Sequence, residues 1–305
     1  MRYIITFLLA STTAPLAEVP RVVTDIPPVH ALVAQVMGDR GAPGLLLAKG
    51  ADEHDFQLRP SQAAEVAEAG LVVWIGADLT PWLDAAMANR PAGAAALALI
   101  DAEATLTQGY AETGEDDAAE AEDAHGDEAH AEDGPDPHVW LDPDNAKAWL
   151  PLIADQLSQL DPDNAATYAA NAAAAVAEID RLDREIAGIL APVKGKPIVM
   201  FHDAYGYYIA HFGLTVAGTI ALGDAASPGA RRLADLRATL QSGDVLCIFP
   251  EAQHDPALVA QMADGTGARI GGALDPVGSS LEPGPGAYAR LLKGLALTIA
   301  DCVTG

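Results

Sequence analysis

Residues 161–190 read DPDNAATYAANAAAAVAEIDRLDREIAGIL. This stretch decides the fold. It opens on Asp161 with Pro162 behind it, an acceptor in the N-cap place followed by a ring suited to the first helical position. No glycine or further proline appears until Gly188, and alanine, the best helix former, is the commonest residue between. Ile179, Leu182, Ile186 and Leu190 recur every three or four residues, which gives one packed face. Pro192 and Gly195 stop the run. A helix of about 29 residues at 1.5 Å each is roughly 43 Å long, enough to cross a whole molecule. It reads as a stiff rod joining two lobes; an ordinary long helix inside one domain is the plainer alternative.

Either side of the rod, short apolar runs alternate with helical stretches. The strand candidates before it are Val22–Ile26, Leu45–Ala48, Leu71–Ile75 and Ala96–Ile100. After it come Ile198–Phe201, Leu214–Thr219, Val245–Phe249 and Ala268–Ala273. Helical segments follow most of them, as in Arg59–Ala69, Arg231–Gln241 and Ala287–Asp301. Strand and helix in alternation imply parallel sheets with helices on both faces. The expectation is an α/β protein of two lobes, each with a mainly parallel four-stranded sheet, joined by one long rigid helix. The bounds are 1–17 for an export signal, 18–160 for the first lobe, 161–191 for the linking helix and 192–305 for the second lobe. A chain of 305 residues is long enough for two cores.

The signal is read from Arg2, the apolar run Tyr3–Leu9 and the small residues up to Ala17. The run is too short to span a bilayer, so the mature protein is expected to be soluble and periplasmic. With 43 acids against 17 bases the net charge is −26, which repels nucleic acid and anionic lipid and attracts cations; solubility alone would also account for it. Twelve of the acids fall between Glu112 and Asp136, with His125 and His130 and no Lys or Arg. Without bulky apolar residues the tract cannot offset its ordering entropy and is expected to be a disordered loop. It could collect metal weakly through its two histidines or be inert. The two cysteines, Cys247 and Cys302, either pair, closing a loop that would stabilise the fold by about 4 kcal/mol, or stay as buried thiols.

His54 lies past a short strand and before a helix, His202 directly follows Ile198–Phe201, and His138 leaves the acidic tract. Ligands of parallel α/β sheets bind outside the carboxyl ends of the strands. Three neutral imidazoles with a carboxylate or water suit tetrahedral Zn²⁺. Three separate surface or capping histidines would look the same in this long, irregular spacing. His30 starts the first helix and reads as structural. His211 sits near a helix end, where carbonyl oxygens or the helix dipole would engage it. His254, in PEAQHDP, lies near the expected crevice.

The ordered motifs EHDFQLRPSQ (53–62), AGLVVWIG (69–76), HVWLDP (138–143), FHDAYGYY (201–208), PGARRL (228–233), IFPEAQ (248–253) and LDPVG (274–278) resemble the ZnuA-type zinc-binding proteins of bacterial ABC importers. The likeness covers nearly the whole mature chain. It implies two βα lobes, a rigid linking helix, a metal in the cleft and a charged loop before the second ligand. It places the metal on His54, His138 and His202, with Glu53 or water fourth and Asp275 as the alternative. It also pairs Cys247 with Cys302. The loop here is poorer in histidine than such loops often are. The function implied is capture of Zn²⁺ by a monomer and delivery to a membrane permease, with no enzymatic activity. A manganese or iron carrier is the rival within the family, and a mononuclear zinc hydrolase the rival outside it.

Overall fold

A computed structural model describes residues 19–110, 134–221 and 228–305. The export signal and the loop histidines His125 and His130 lie outside the described residues.

The first sheet is built from β1 (Val22–Thr24), β2 (Gly44–Leu45), β3 (Leu71–Trp74) and β4 (Ala95–Ala98), in the order β2-β1-β3-β4. The second uses β5 (Ile198–Met200), β6 (Val216–Thr219), β7 (Cys247–Ile248) and β8 (Arg269–Ile270), in the order β6-β5-β7-β8. Every pairing is parallel, and the two sheets share one topology. The eight strands fall in the expected places but are shorter than the apolar runs. Apolar residues such as Ile26, Ile75, Ile100 and Phe249 continue past the ladder into loops that are still buried.

The helices are α1 (Pro27–Met37), α2 (Pro60–Glu68), α3 (Pro81–Met87), α4 (Pro143–Leu160), α5 (Ala165–Leu190), α6 (Gly206–Phe212), α7 (Ala230–Gln241), α8 (Ala257–Ala263) and α9 (Ala287–Thr304). The first four begin on proline, which costs nothing where the N–H has no helical partner. The rod, α5, has 26 residues, about 39 Å. A single 3-10 turn, Pro162–Asn164, precedes it, so Asp161 is not its N-cap. The Asp161 carboxylate instead accepts bonds from the Tyr168 hydroxyl and the Asn164 amide, both 2.7 Å, while its N–H closes α4 on Leu157. It is the joint between two helices.

The rod packs Tyr168, Ala172, Ile179, Leu182, Ile186 and Leu190 into a cluster that also holds Leu32 and Val36 of α1, Trp149 and Ile153 of α4, and Leu292, Leu295 and Ile299 of α9. Both sheets turn one face to this cluster. Val22, Leu71 and Val73 belong to it, as do Ile198, Met200 and Cys247. Their alternate neighbours Val23, Val72 and Trp74 pack on a small separate cluster under α2 and α3. Val199 and Ile248 do the same under α7 and α8. The period of two thus sorts each strand between two faces. Length had suggested two cores; there is one shared core with a satellite on each outer face. Cys247 and Cys302 are bonded, tying β7 to α9.

Candidate metal centre

Three loops meet at the carboxyl edges of the sheets. His54 stands in the irregular segment between β2 and α2. Its N–H bonds the Asp52 carboxylate (2.9 Å), and the Trp82 indole donates to the Glu53 carbonyl (2.8 Å), which fixes the turn from α3. His138 immediately precedes the turn Val139–Leu141, whose continuation α4 is capped by Asp142 accepting from the Asp144 N–H. His202 follows β5 by two residues.

The structure brings these three histidines together. One ligand atom from each lies within 4.8 Å of the others, and the Nε2 atoms of His54 and His138 are 3.3 Å apart. A tetrahedral Zn²⁺ with Zn–N bonds of about 2.0–2.1 Å holds its nitrogens about 3.3–3.4 Å from one another. The donor set therefore fits zinc without rearrangement of that pair. Glu53 is the nearest carboxylate among those expected, with Oε1 3.8 Å from His54 Nε2. Asp275 has other partners. Its oxygens accept from the Gln253 amide (2.7 Å), the Ser279 N–H (3.1 Å) and the Ser280 N–H (2.9 Å), so it folds its own loop.

Two carboxylates that the sequence reading did not single out aim the imidazoles. Asp136 Oδ1 is 2.7 Å from His138 Nδ1, and Glu251 Oε2 is 2.6 Å from His202 Nδ1. A carboxylate at Nδ1 fixes the tautomer so that Nε2 faces the centre, and it makes the ring a better donor. Glu251 is itself held by the Tyr205 hydroxyl at 3.0 Å. Asp136 had been read as the end of a disordered acidic loop; it is fully buried and part of the centre. The i, i+2 spacing Asp-Pro-His was the available signal. Nothing local pointed to Glu251.

Burial sets the protonation of the centre. It pushes the Glu53 carboxyl up to about 8, against the pull of the His138 and His202 rings. It holds His54 well below the ordinary histidine range, helped by the neighbouring His138, His202 and His254 rings. A neutral imidazole is the form that binds metal.

The remaining histidines have other partners. His30 is buried in α1, with Nε2 3.2 Å from the Pro43 carbonyl, as a structural residue would be. His211 pairs with carboxylates rather than carbonyl oxygens: Asp142 lies 3.0 Å from Nδ1 and Asp183 3.0 Å from Nε2. His254 stands at the rim, its Nε2 3.6 Å from Glu251.

The family model for ZnuA, described as the periplasmic component A of the zinc-uptake complex, matches residues 22–302. A high-affinity zinc uptake system protein ZnuA from Paracoccus denitrificans is 48% identical over 303 residues, covering 94% of this chain and 93% of its own. A crystal structure of ZnuA, 27% identical, superposes with a TM-score of 0.75 over 93% of this chain and 100% of its own. The periplasmic zinc-binding protein TroA from Treponema pallidum, 19% identical, shares the fold with a TM-score of 0.75 over 94% of this chain and 99% of its own. A match over almost the whole described chain, on the same fold and with imidazoles gathered at zinc spacing, places this chain in the ZnuA family of periplasmic zinc-uptake components.

Proposed function

We propose that the chain captures Zn²⁺ with His54, His138, His202 and Glu53 in the cleft between lobes 18–160 and 192–305, and presents it to the permease of an ABC importer. The observation that carries this reading is the 3.3 Å separation of two Nε2 atoms within a buried three-imidazole cluster. Three nitrogen donors favour zinc over manganese, which prefers harder oxygen ligands. Glu53 completes a closed shell, which leaves no open position for an activated water and argues for a carrier rather than a hydrolase. Asp275, committed to its own loop, is the weaker candidate for the fourth place. The family supplies the importer as partner. The chain works as a monomer, and its net charge of −26 speaks against a nucleic-acid partner.

The test is competition calorimetry with Zn²⁺ and Mn²⁺ on the mature protein and on His54→Ala, His138→Ala and His202→Ala. One zinc per chain, bound at least a hundredfold more tightly than manganese and weakened by orders of magnitude in each variant, is expected. Tighter manganese binding overturns the zinc assignment, and an unchanged variant removes that residue from the shell.

A further inference from the structure

The centre is nearly enclosed, with His54 its most exposed ligand candidate. His138 and Glu53 are buried, and His202 is 5% exposed. The crevice that reaches it is lined by Asp52, Glu53, His54, His202, Glu251, Gln253, His254 and Pro276, and it is too narrow for a water-sized sphere. A hydrated cation cannot diffuse along such a passage. It must give up its waters to side chains placed along the way.

His254 is the most exposed imidazole of the lining, with its side chain 30% exposed against 9% for His54. Its ring is stacked on Phe201 at 4.4 Å and 16°, so its orientation is set. Nε2 lies 3.6 Å from Glu251 Oε2, and that same oxygen is 2.6 Å from His202 Nδ1. One ligand atom from each of His202, Glu251 and His254 falls within 4.8 Å of the others. A nitrogen and an oxygen about 3.3–3.6 Å apart can share one Zn²⁺ at ordinary bond lengths near 2.0–2.2 Å. The cluster shares His202 with the inner centre and ends on a solvent-facing ring.

We infer that His254 and Glu251 form a transient outer position for the cation, through which Zn²⁺ passes between solvent and the three-histidine centre. The ion exchanges water first for the rim imidazole of His254 and the buried carboxylate of Glu251 beneath it, then exchanges these for His202, His54, His138 and Glu53; release runs the same steps backwards. Only metal–ligand bonds change, apart from the Glu53 proton, which leaves to solvent as its carboxylate takes the ion and returns on release. The inference rests on the zinc reading of the inner centre.

An intermediate position lowers the barrier in both directions and leaves the end states alone. His254→Phe keeps the aromatic stack and removes the donor; His254→Gln keeps a polar side chain that binds zinc poorly. Stopped-flow exchange of Zn²⁺ against a fluorescent chelator, with calorimetry alongside, is expected to show association and dissociation both slowed by about tenfold or more in each variant. The Kd should stay within about twofold. Unchanged rates in both variants overturn the relay. So does a Kd shifted in proportion to one rate alone, which would make His254 a ligand or prop of the inner centre. Failure of the wild-type chain to bind zinc, or retained tight binding in His54→Ala, would instead defeat the zinc reading itself.

Discussion

With Glu53 in the fourth place, as proposed, it is the residue whose chemistry would change most on metal binding. Burial pushes its carboxyl up to about 8, so at pH 7 it carries a proton that a bound cation would have to displace. Zinc affinity should therefore rise with pH from 6 to about 8 and then level, with close to one proton released per zinc at pH 7. Calorimetry in buffers of different ionisation enthalpy measures that proton, and Glu53→Gln should abolish it and flatten the profile. A pH profile identical in wild type and variant would take Glu53 out of the shell. His54 and His202 were readable as strand-end residues because parallel sheets gather ligands there, whereas His138, which enters from a loop, joined them through the family resemblance. The carboxylates behind them were not. Asp136 was hidden among eleven other acids of one tract, and Glu251 reaches His202 across 49 residues of sequence. Side-chain pairing over that distance has no local signature.

At the scale of elements, His211 holds three helices together. It projects from α6 and bridges Asp142, the cap of α4, to Asp183 on α5; Asp144 is 3.9 Å away. These carboxylates raise its pKa from 6.5 to about 9, against the desolvation that opposes charge. The folded state thus favours the imidazolium. Its stabilisation is complete below about pH 6.5 and fades as pH rises through 9. His211→Gln should cost about 1–3 kcal/mol at pH 6 and much less at pH 9.5, read as the difference in Tm between variant and wild type. Equal differences at both pH values would show that the ring acts by packing alone. Periodicity exposed α5 well, because alanine and a regular apolar stripe are local signals. It misjudged the entry, because an Asp-Pro-Asp-Asn start is equally suited to a helix cap and to the 3-10 turn that Tyr168 stabilises through Asp161. Strand positions were legible and their lengths were not, since buried loop residues are as apolar as ladder residues.

For the whole molecule, the shared core matters most. Opening the lobes would drag Ile179, Ile186 and Leu190 away from α9 or α1 neighbours in one continuous cluster. Trp140 also reaches across to the Pro276 carbonyl (2.8 Å) and Tyr288 to the Trp140 carbonyl (2.9 Å). Metal-dependent movement should therefore be small and local to the cleft loops. The described residues that flank the acidic tract meet: the Asp136 N–H bonds the Gln108 carbonyl at 2.9 Å. Deleting 112–133 while keeping Asp136 should leave the zinc Kd within about threefold, measured by chelator competition; loss of tight binding would show that the tract belongs to the centre. Composition showed the tract's character but not that its last acid is a working part of the site. Length could not reveal that two sheets share one core, because that depends on which faces the connecting helix covers.

The most direct test is anomalous diffraction at the zinc edge from crystals of the zinc-loaded chain. One dominant peak is predicted about 2.0–2.1 Å from Nε2 of His54, His138 and His202, with a Glu53 oxygen in the fourth place. A dominant peak elsewhere, or one in the cleft that misses any of the three imidazoles, would contradict the account.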